Sequence, residues 1–196
     1  MKTVSLINCL TTILTAAALP AGSTFAQEKK LPEDMSVLTP GMDGHRRNGG
    51  PNGEGEFKII EVDGQPFKQA IRATVKKTPS DVWHTQISTL LAQPVKRGDV
   101  VLISFHVRSE KAGGAFNVYF GTPETDLEVT FAEELSAGEK WKHVQIPATV
   151  AADYEAGKGM LNFDFGLQPQ TLEFADIKLV NFGAKAKVNE LPRSGY

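Results

Sequence analysis

The chain has 196 residues, 41% of them hydrophobic, and a formal net charge of −2 at pH 7. This length suits one folded domain better than two. The nearly balanced charge and the absence of a basic patch argue against a nucleic-acid or anionic-membrane partner and favour a neutral, polar ligand.

The N-terminus has the pattern of an export signal. Lys2 precedes a mostly apolar stretch over residues 4–21, and small residues follow at 24–26. A basic start, a short apolar run and a small-residue exit are typical of a secretory signal peptide. A transmembrane anchor is less favoured because polar residues interrupt the apolar stretch. We therefore predict a signal peptide over residues 1–26 and a secreted or periplasmic protein. Removal of that peptide would take the single cysteine, Cys9, with it, which excludes disulfides in the mature chain.

The next segment, residues 27–56, is rich in glycine and poor in large apolar residues. Such a composition buries little surface, so we predict a flexible N-terminal segment. The run His45-Arg46-Arg47 inside it is interpreted as a solvated charge cluster, with a small anion contact as the alternative.

From Phe57 onwards, short stretches alternate apolar and polar residues with period 2, and turn residues separate them. This alternation is typical of strands that bury one face and expose the other. Nine such strands without a convincing helix predict an all-β fold, a two-sheet antiparallel β-sandwich or jelly roll. The predicted strands are residues 57–62, 67–75, 82–89, 99–108, 115–121, 127–134, 140–147, 159–167 and 171–181. Residues 184–196 are predicted to be a polar C-terminal tail.

Five motifs in order carry a resemblance to a known family. They are Trp83-x-x-Gln86, Arg97-Gly-Asp99-Val-x-Leu-x-Ser-Phe-x-x-Arg108, Trp141, Leu161-x-Phe-x-Phe-Gly-Leu-Gln168 and Leu172-Glu-Phe-x-Asp-Ile-x-Leu-x-Asn-Phe-Gly183. Together they resemble galactose-binding-domain-like carbohydrate-binding modules, most closely the module found N-terminal to family 10 xylanases. The resemblance covers residues 57–183. It implies a nine-strand sandwich that binds a polysaccharide, of xylan or β-glucan type, on one concave sheet.

Modules of this family are usually joined to a glycosidase. This chain stops at Tyr196, where a catalytic domain would be expected to start. We therefore expect a non-catalytic binding protein, with a separate glycoside hydrolase as a possible partner.

A sugar ring offers an apolar C–H face and a rim of hydroxyls, so its site needs aromatic rings and planar amide or carboxylate groups. The resemblance implies that the concave sheet contains the third, fifth, sixth and eighth predicted strands. Alternation then selects the residues on its ligand side: Trp83, His84, Gln86, Asn117, Tyr119, Asn162 and Asp164. For Trp83 and Tyr119, packing at the core edge and surface covering, respectively, remain as alternatives.

The resemblance places the fourth and seventh predicted strands in the opposite sheet. His106 and Arg108 are therefore interpreted as residues of the convex surface, and Trp141 as a residue of core or edge packing. Many modules of this type also hold a structural Ca²⁺, an ion that binds oxygen ligands. The candidate donors are Glu61, Asp63 and Asp176, and no other cofactor is expected.

Two other functions stay open. A protein-interaction or structural sandwich could share the scaffold without binding sugar. A jelly-roll polysaccharide lyase is a further alternative, and a glycosidase would need two carboxylates paired across the scissile bond. No pocket-forming signals surround the acidic residues Glu124, Asp126, Glu128, Glu133 and Glu134. A cupin-type metal enzyme would need closely spaced histidine ligands, but the four histidines are far apart in the sequence.

Overall fold

The computed structural model describes residues 35–122 and 129–195. The predicted signal peptide and the acidic residues 124–128 lie outside them. The described strands are β1 (His45–Gly49), β2 (Gly55–Glu61), β3 (Gln69–Val75), β4 (Thr85–Leu90), β5 (Val100–Ser109), β6 (Gly114–Gly121), β7 (Val129–Ala137), β8 (Lys142–Thr149), β9 (Met160–Asp164) and β10 (Gln170–Asn181). Three short 3₁₀ turns accompany them, at Met42–Gly44, Val82–His84 and Val188–Glu190. Within the described part of the chain, no helix has the length and apolar character needed to cross a membrane.

The strands form two five-stranded antiparallel sheets that pack face to face. The front sheet has the order β1-β4-β9-β6-β7, and the back sheet has the order β2-β3-β10-β5-β8. The predicted two-sheet sandwich is therefore confirmed. The third, fifth, sixth and eighth predicted strands correspond to β4, β6, β7 and β9 and share the front sheet. The fourth and seventh correspond to β5 and β8 and lie in the back sheet, also as predicted.

Strand β1 is the main difference from the sequence prediction, because it lies inside the segment that we expected to be flexible. All five of its residues pair with β4, from His45 opposite Thr89 to Gly49 opposite Thr85. His45 is buried, and its Nδ1 lies 2.7 Å from the Thr89 hydroxyl oxygen. Backbone pairing along an edge does not require apolar side chains, so a strand of polar residues can form where no hydrophobic pattern announces it.

The C-terminal segment also contacts the fold. Ser194 exchanges two backbone hydrogen bonds with Gln145 of the edge strand β8, at 3.0 and 3.1 Å. Part of the predicted polar tail is thus paired with the back sheet, where it covers backbone groups that an open edge would expose.

A cluster of phenylalanine rings joins the two sheets. Phe105 of β5 lies edge-on to Phe163 of β9 at 4.8 Å between ring centroids, and Phe116 of β6 lies edge-on to Phe174 of β10 at 5.2 Å. All four are fully buried. Because side chains alternate along a strand, burying Phe116 and Phe163 turns their neighbours to the outer face of the front sheet.

The outer face of the back sheet is partly covered. Phe67, in the connection between β2 and β3, lies 4.8 Å from the rings of both His106 and Trp141. His106 is buried beneath it and stacks on His143 at 4.3 Å. His106 is therefore not a convex-surface residue as expected, because this connection folds over it. Trp141 takes part in packing, as expected.

Glu173 of β10 lies between two arginines on the same face. Its Oε1 accepts hydrogen bonds from Arg72 Nε at 2.8 Å and Nη2 at 2.6 Å, and its Oε2 accepts one from Arg108 Nε at 2.5 Å. Glu173 is only 3% exposed. Loss of a buried carboxylate with three charge-assisted hydrogen bonds should lower the free energy of unfolding far more than loss of a solvated ion pair.

We expect Glu173→Gln to lower the free energy of unfolding by about 1–3 kcal/mol, because it leaves two arginines without their shared anion. Urea denaturation of the purified protein measures this. The matched control is Glu56→Gln, because Glu56 pairs with Lys76 in the same sheet but both side chains are 52% exposed. Its loss should stay within about 0.5 kcal/mol. Equal losses in the two variants would contradict the assignment.

Candidate functional site

The outer side of the front sheet, called here the front face, carries two rows of mostly polar residues. Inter-strand register defines both rows, since residues directly opposite each other share a face. The first row is Asn48, Gln86, Asp164, Asn117 and Glu134, and the second is Arg46, Ser88, Asn162, Tyr119 and Ala132. Five of the seven predicted site residues lie in these rows, so the structure brings them together across three adjacent strands.

Trp83 lies just before β4 in the turn Val82–His84 and is 54% exposed. Gln86 Nε2 donates a hydrogen bond of 2.6 Å to the Trp83 carbonyl oxygen, which fixes the end of the turn against the first residues of β4. The core-edge alternative for Trp83 does not hold, because more than half of the residue is accessible to solvent. Its indole is available at one end of the front face.

His84 lies in the same turn rather than in the strand where the sequence placed it. Its Nδ1 is 3.3 Å from the Ser80 hydroxyl and 3.8 Å from an oxygen of Asp81. Its ring lies 6.2 Å from that of Trp83 in an edge-on arrangement. His84 is therefore a neighbour of Trp83 and does not belong to either row.

Tyr119 of β6 is partly exposed on the second row, opposite Asn162 of β9. Its hydroxyl donates to the Thr122 carbonyl oxygen at 2.5 Å. Burial raises the pKa of Tyr119 above its usual range, with smaller effects from Tyr154 and Asp164. The phenol is therefore neutral and held by one hydrogen bond, an arrangement that fixes an aromatic ring on the face.

The centre of the front face contains two buried oxygens without a partner. Asp164 Oδ1 and Asn162 Oδ1 receive no hydrogen bond from any described residue. Burial raises the pKa of the Asp164 carboxyl from 3.8 to about 6. A buried acceptor left unpaired costs about 1–3 kcal/mol, so native proteins seldom keep one without a reason. The arrangement can accept hydrogen bonds from a hydroxylated ligand.

Sequence reasoning named no site residue on the two outer strands of the face, β1 and β7. Arg46 and Asn48 of β1 and Glu134 of β7 are all exposed and belong to the rows. Asn48 Oδ1 accepts a hydrogen bond of 3.1 Å from the Gly50 amide. The front face is thus cationic at its β1 edge and anionic at its β7 edge. The basic edge was not assigned to the face because strand β1 was not predicted from the sequence.

Two of the three predicted calcium donors have side-chain partners, and the calcium site stays a prediction. Glu61 Oε1 accepts a hydrogen bond of 2.8 Å from Gln69 Nε2, and Asp176 Oδ1 lies 2.7 Å from the Lys178 ammonium. Across residues 35–122 and 129–195, no three His, Cys, Asp or Glu side chains are grouped as metal ligands.

No known protein-family profile and no curated protein matches this sequence. Solved structures do match its fold. The N-terminal cellulose-binding domain of Cellulomonas fimi β-1,4-glucanase C has a TM-score of 0.56 and 13% identity, with 75% of this chain and 95% of that chain covered. A CBM4 structure has a TM-score of 0.54 and 18% identity, with 76% and 96% covered.

A third similar structure contains the CBM22-1 and GH10 modules of Clostridium thermocellum xylanase 10B, complexed with xylohexaose. Its TM-score is 0.50 with 14% identity, and the match covers 71% of this chain and 26% of that chain. This chain therefore corresponds in length to about a quarter of that two-module protein. The expected fold is confirmed: the chain has the β-sandwich fold of carbohydrate-binding modules, including the type that precedes GH10 xylanase domains.

Proposed function

We propose that this protein binds a polysaccharide of the xylan or β-glucan type on its front face and does not cleave it. The observation that carries the proposal is the pair of unpartnered, buried oxygens of Asp164 and Asn162 in the middle of a face that also presents Trp83 and Tyr119. Hydroxyl groups of a sugar would supply the missing donors.

The aromatic residues fit the apolar side of a sugar ring. An exposed tryptophan is unusual unless something covers it, because its large ring contributes strongly to burial when a partner is present. Trp83 lies in the turn just before β4, and Tyr119 lies on β6, two strands away from β4 in the front sheet. Two rings at separate positions can contact separate sugar units of one chain.

The polar residues fit the hydroxyl rim. Asn117 and Gln86 flank Asp164 on both sides, so two amides and one carboxyl follow one another across three strands. Amide groups both donate and accept hydrogen bonds, whereas an ionised carboxylate only accepts. Such a row can form hydrogen bonds with sugar hydroxyls whether a hydroxyl donates or accepts, and the ligand needs no charged group.

Binding without cleavage is the better match to the acidic residues. Glycosidases use two carboxyl groups about 5–10 Å apart across the scissile bond. Asp164 and Glu134 lie on one row with Asn117 between them, so their Cα atoms are about 10 Å apart. However, Glu134 is exposed on an edge strand, where nothing in the described residues holds its side chain. The similar structures that support the proposal are a cellulose-binding domain and a CBM4 structure.

The proposal also covers where the protein acts and how tightly it binds. The export signal predicted over residues 1–26 supports a secreted or periplasmic site of action, where a plant polysaccharide and a separate glycoside hydrolase could both be met. Each aromatic contact contributes about 1.5–3 kcal/mol and each net hydrogen bond about 1, against an association cost of at least about 4 kcal/mol. The dissociation constant should fall between ~µM and ~mM.

The first test is affinity electrophoresis in gels that contain xylan or mixed-linkage β-glucan. We expect the protein to be retarded, Tyr119→Ala to weaken binding at least about tenfold through loss of an aromatic contact, and Gln86→Ala to weaken it about fivefold through loss of a hydrogen bond. Gln69→Ala is the matched control, because Gln69 is an exposed glutamine on the back sheet. Thermal unfolding confirms that the variants are folded.

Unretarded migration of the wild-type protein in every gel would refute polysaccharide binding. Equal weakening by Gln69→Ala would move the site away from the front face. Release of reducing sugar from the same polymers, lost on Asp164→Asn, would show instead that the protein is a glycosidase.

The second test uses the stability cost of Asp164. Its pKa of about 6 in the folded chain exceeds the ordinary value of 3.8, so the folded state holds the proton more tightly. The resulting stabilisation is complete below pH 4 and is lost as the pH rises through 6. We expect Asp164→Asn to remove this loss and to raise the free energy of unfolding at pH 7 by up to about 3 kcal/mol, while binding weakens.

Asp153→Asn is the matched control. Asp153 has a lowered pKa, because the Arg97 backbone amide and the Lys96 ammonium bond to its carboxylate. Its stabilisation is present above the ordinary pKa and lost in acid, so this variant should be less stable at pH 7. Urea denaturation from pH 4 to 7 measures both. A less stable Asp164→Asn at pH 7 would contradict the assignment.

A further inference from the structure

We propose that the front face includes a subsite for the carboxylate of a uronic acid substituent, formed by Arg46 on strand β1. The ligand class is then a polysaccharide with a neutral backbone that carries scattered uronic acid groups. This inference rests on the proposed polysaccharide binding and adds a specificity that the uncharged residues of the face cannot provide.

Register places Arg46 on the ligand side of the sheet. It lies opposite Ser88, which lies opposite Asn162, which in turn lies opposite Tyr119. With neighbouring strands about 4.8 Å apart, the Cα atoms of Arg46 and Tyr119 are about 14 Å apart on one row. A polymer that crosses the strands from Tyr119 towards β1 therefore ends beside Arg46.

The side chain of Arg46 is exposed and has no ion pair or hydrogen bond with any residue that the structure describes. Its neighbours add donors. Asn48 uses its side-chain oxygen to accept from Gly50, which leaves its amide hydrogens for a ligand, and Ser88 has a hydroxyl. A planar guanidinium binds a carboxylate through two parallel hydrogen bonds, and further donors beside it strengthen this preference.

The charges elsewhere on the face limit how acidic the ligand can be. Asp164 lies about 12 Å from Arg46 and Glu134 about 20 Å, measured between Cα positions from strand spacing and rise. Because screening is substantial beyond about 10 Å at 0.1 M salt, one carboxylate at Arg46 meets little repulsion. A polyuronate would also place carboxylates over Asp164 and Glu134, where like charges oppose binding.

The adjacent residue provides a control within the same strand. Arg47 lies opposite Ile87, which is fully buried, so its Cα belongs to the row that faces the core although its side chain is exposed at the edge. Burial and the charge of Arg47 lower the pKa of His45 to about 4, so His45 adds no charge near neutrality. Arg46 and Arg47 thus carry equal charge on opposite sides of one edge strand.

The experiment compares two forms of one polymer, glucuronoxylan and the same glucuronoxylan after reduction of its carboxyl groups to alcohols. Isothermal titration of the purified protein should give binding about three to ten times tighter for the acidic form. Arg46→Gln should abolish this difference between the two forms. Arg47→Gln should keep the difference. The preference for the acidic form should also shrink as the salt concentration rises from about 0.05 to about 0.5 M, because charges are weakly screened at the first concentration and strongly screened at the second.

The outcomes separate the two proposals. Failure to bind either form would refute polysaccharide binding itself. Equal binding of both forms by the wild-type protein would overturn the carboxylate subsite alone. A preference that Arg46→Gln and Arg47→Gln reduce equally would show general attraction to a basic edge and would also overturn the subsite. Stronger binding of polygalacturonate than of glucuronoxylan would contradict the limit set by Asp164 and Glu134.

Discussion

The period-two alternation of paired strands, locked by the buried phenylalanine cluster, determines everything else in this fold. Phe163 is inserted between Asn162 and Asp164 in β9, and its ring packs against Phe105 and Phe174 of the opposite sheet. A shift of one residue would bury the two polar side chains and expose the ring. The large loss of buried apolar area makes this shift unfavourable. The core therefore specifies which side chains the front face presents.

The same constraint explains how the fold tolerates unpartnered polar oxygens. The pairing of β9 with β4 and β6 fixes the backbone at Asp164 and Asn162, and alternation with Phe163 keeps both side chains on the front face. Asp164 lies between the amides of Gln86 and Asn117, and Asn162 lies between Ser88 and Tyr119, yet none of these side chains donates to the two buried oxygens. Residues that lower stability in this way are common at sites that act on a ligand, because selection for binding opposes selection for stability.

The fold class could be predicted because alternation and turn residues are local signals, whereas the partition of strands between the two sheets came from the family resemblance. The orientations of Gln86, Asn117 and Asp164 followed from the same alternation. Strand β1 could not be predicted, since its polar residues are held by backbone pairing with β4 and no apolar residue marks a buried side. His84 was misplaced for a related reason. A 3₁₀ turn at the start of β4 interrupts the alternation one residue before the strand begins.

The burial of His106 could not be predicted from the sequence either. Alternation correctly turned this residue out of the core, but the connection that carries Phe67 then folds over it. Period two reports which side of a sheet a residue occupies and contains no information about what covers that side. The calcium expectation depends on three carboxylates meeting in space, which spacing in the sequence does not establish, and it stays a prediction.

The edges of the front sheet give a final link between folding and recognition. Arg47 on β1 and Glu133 on β7 each lie opposite a buried residue, Ile87 and Val118, yet both are exposed at an outer strand. Charges in this position discourage pairing with another chain's strand, which keeps the sheet from extending. The residues next to them in the sequence, Arg46 and Glu134, lie on the front face and carry the same signs. The two ends of the face therefore differ in charge, so a chain carrying an acidic group would have a preferred direction across the strands.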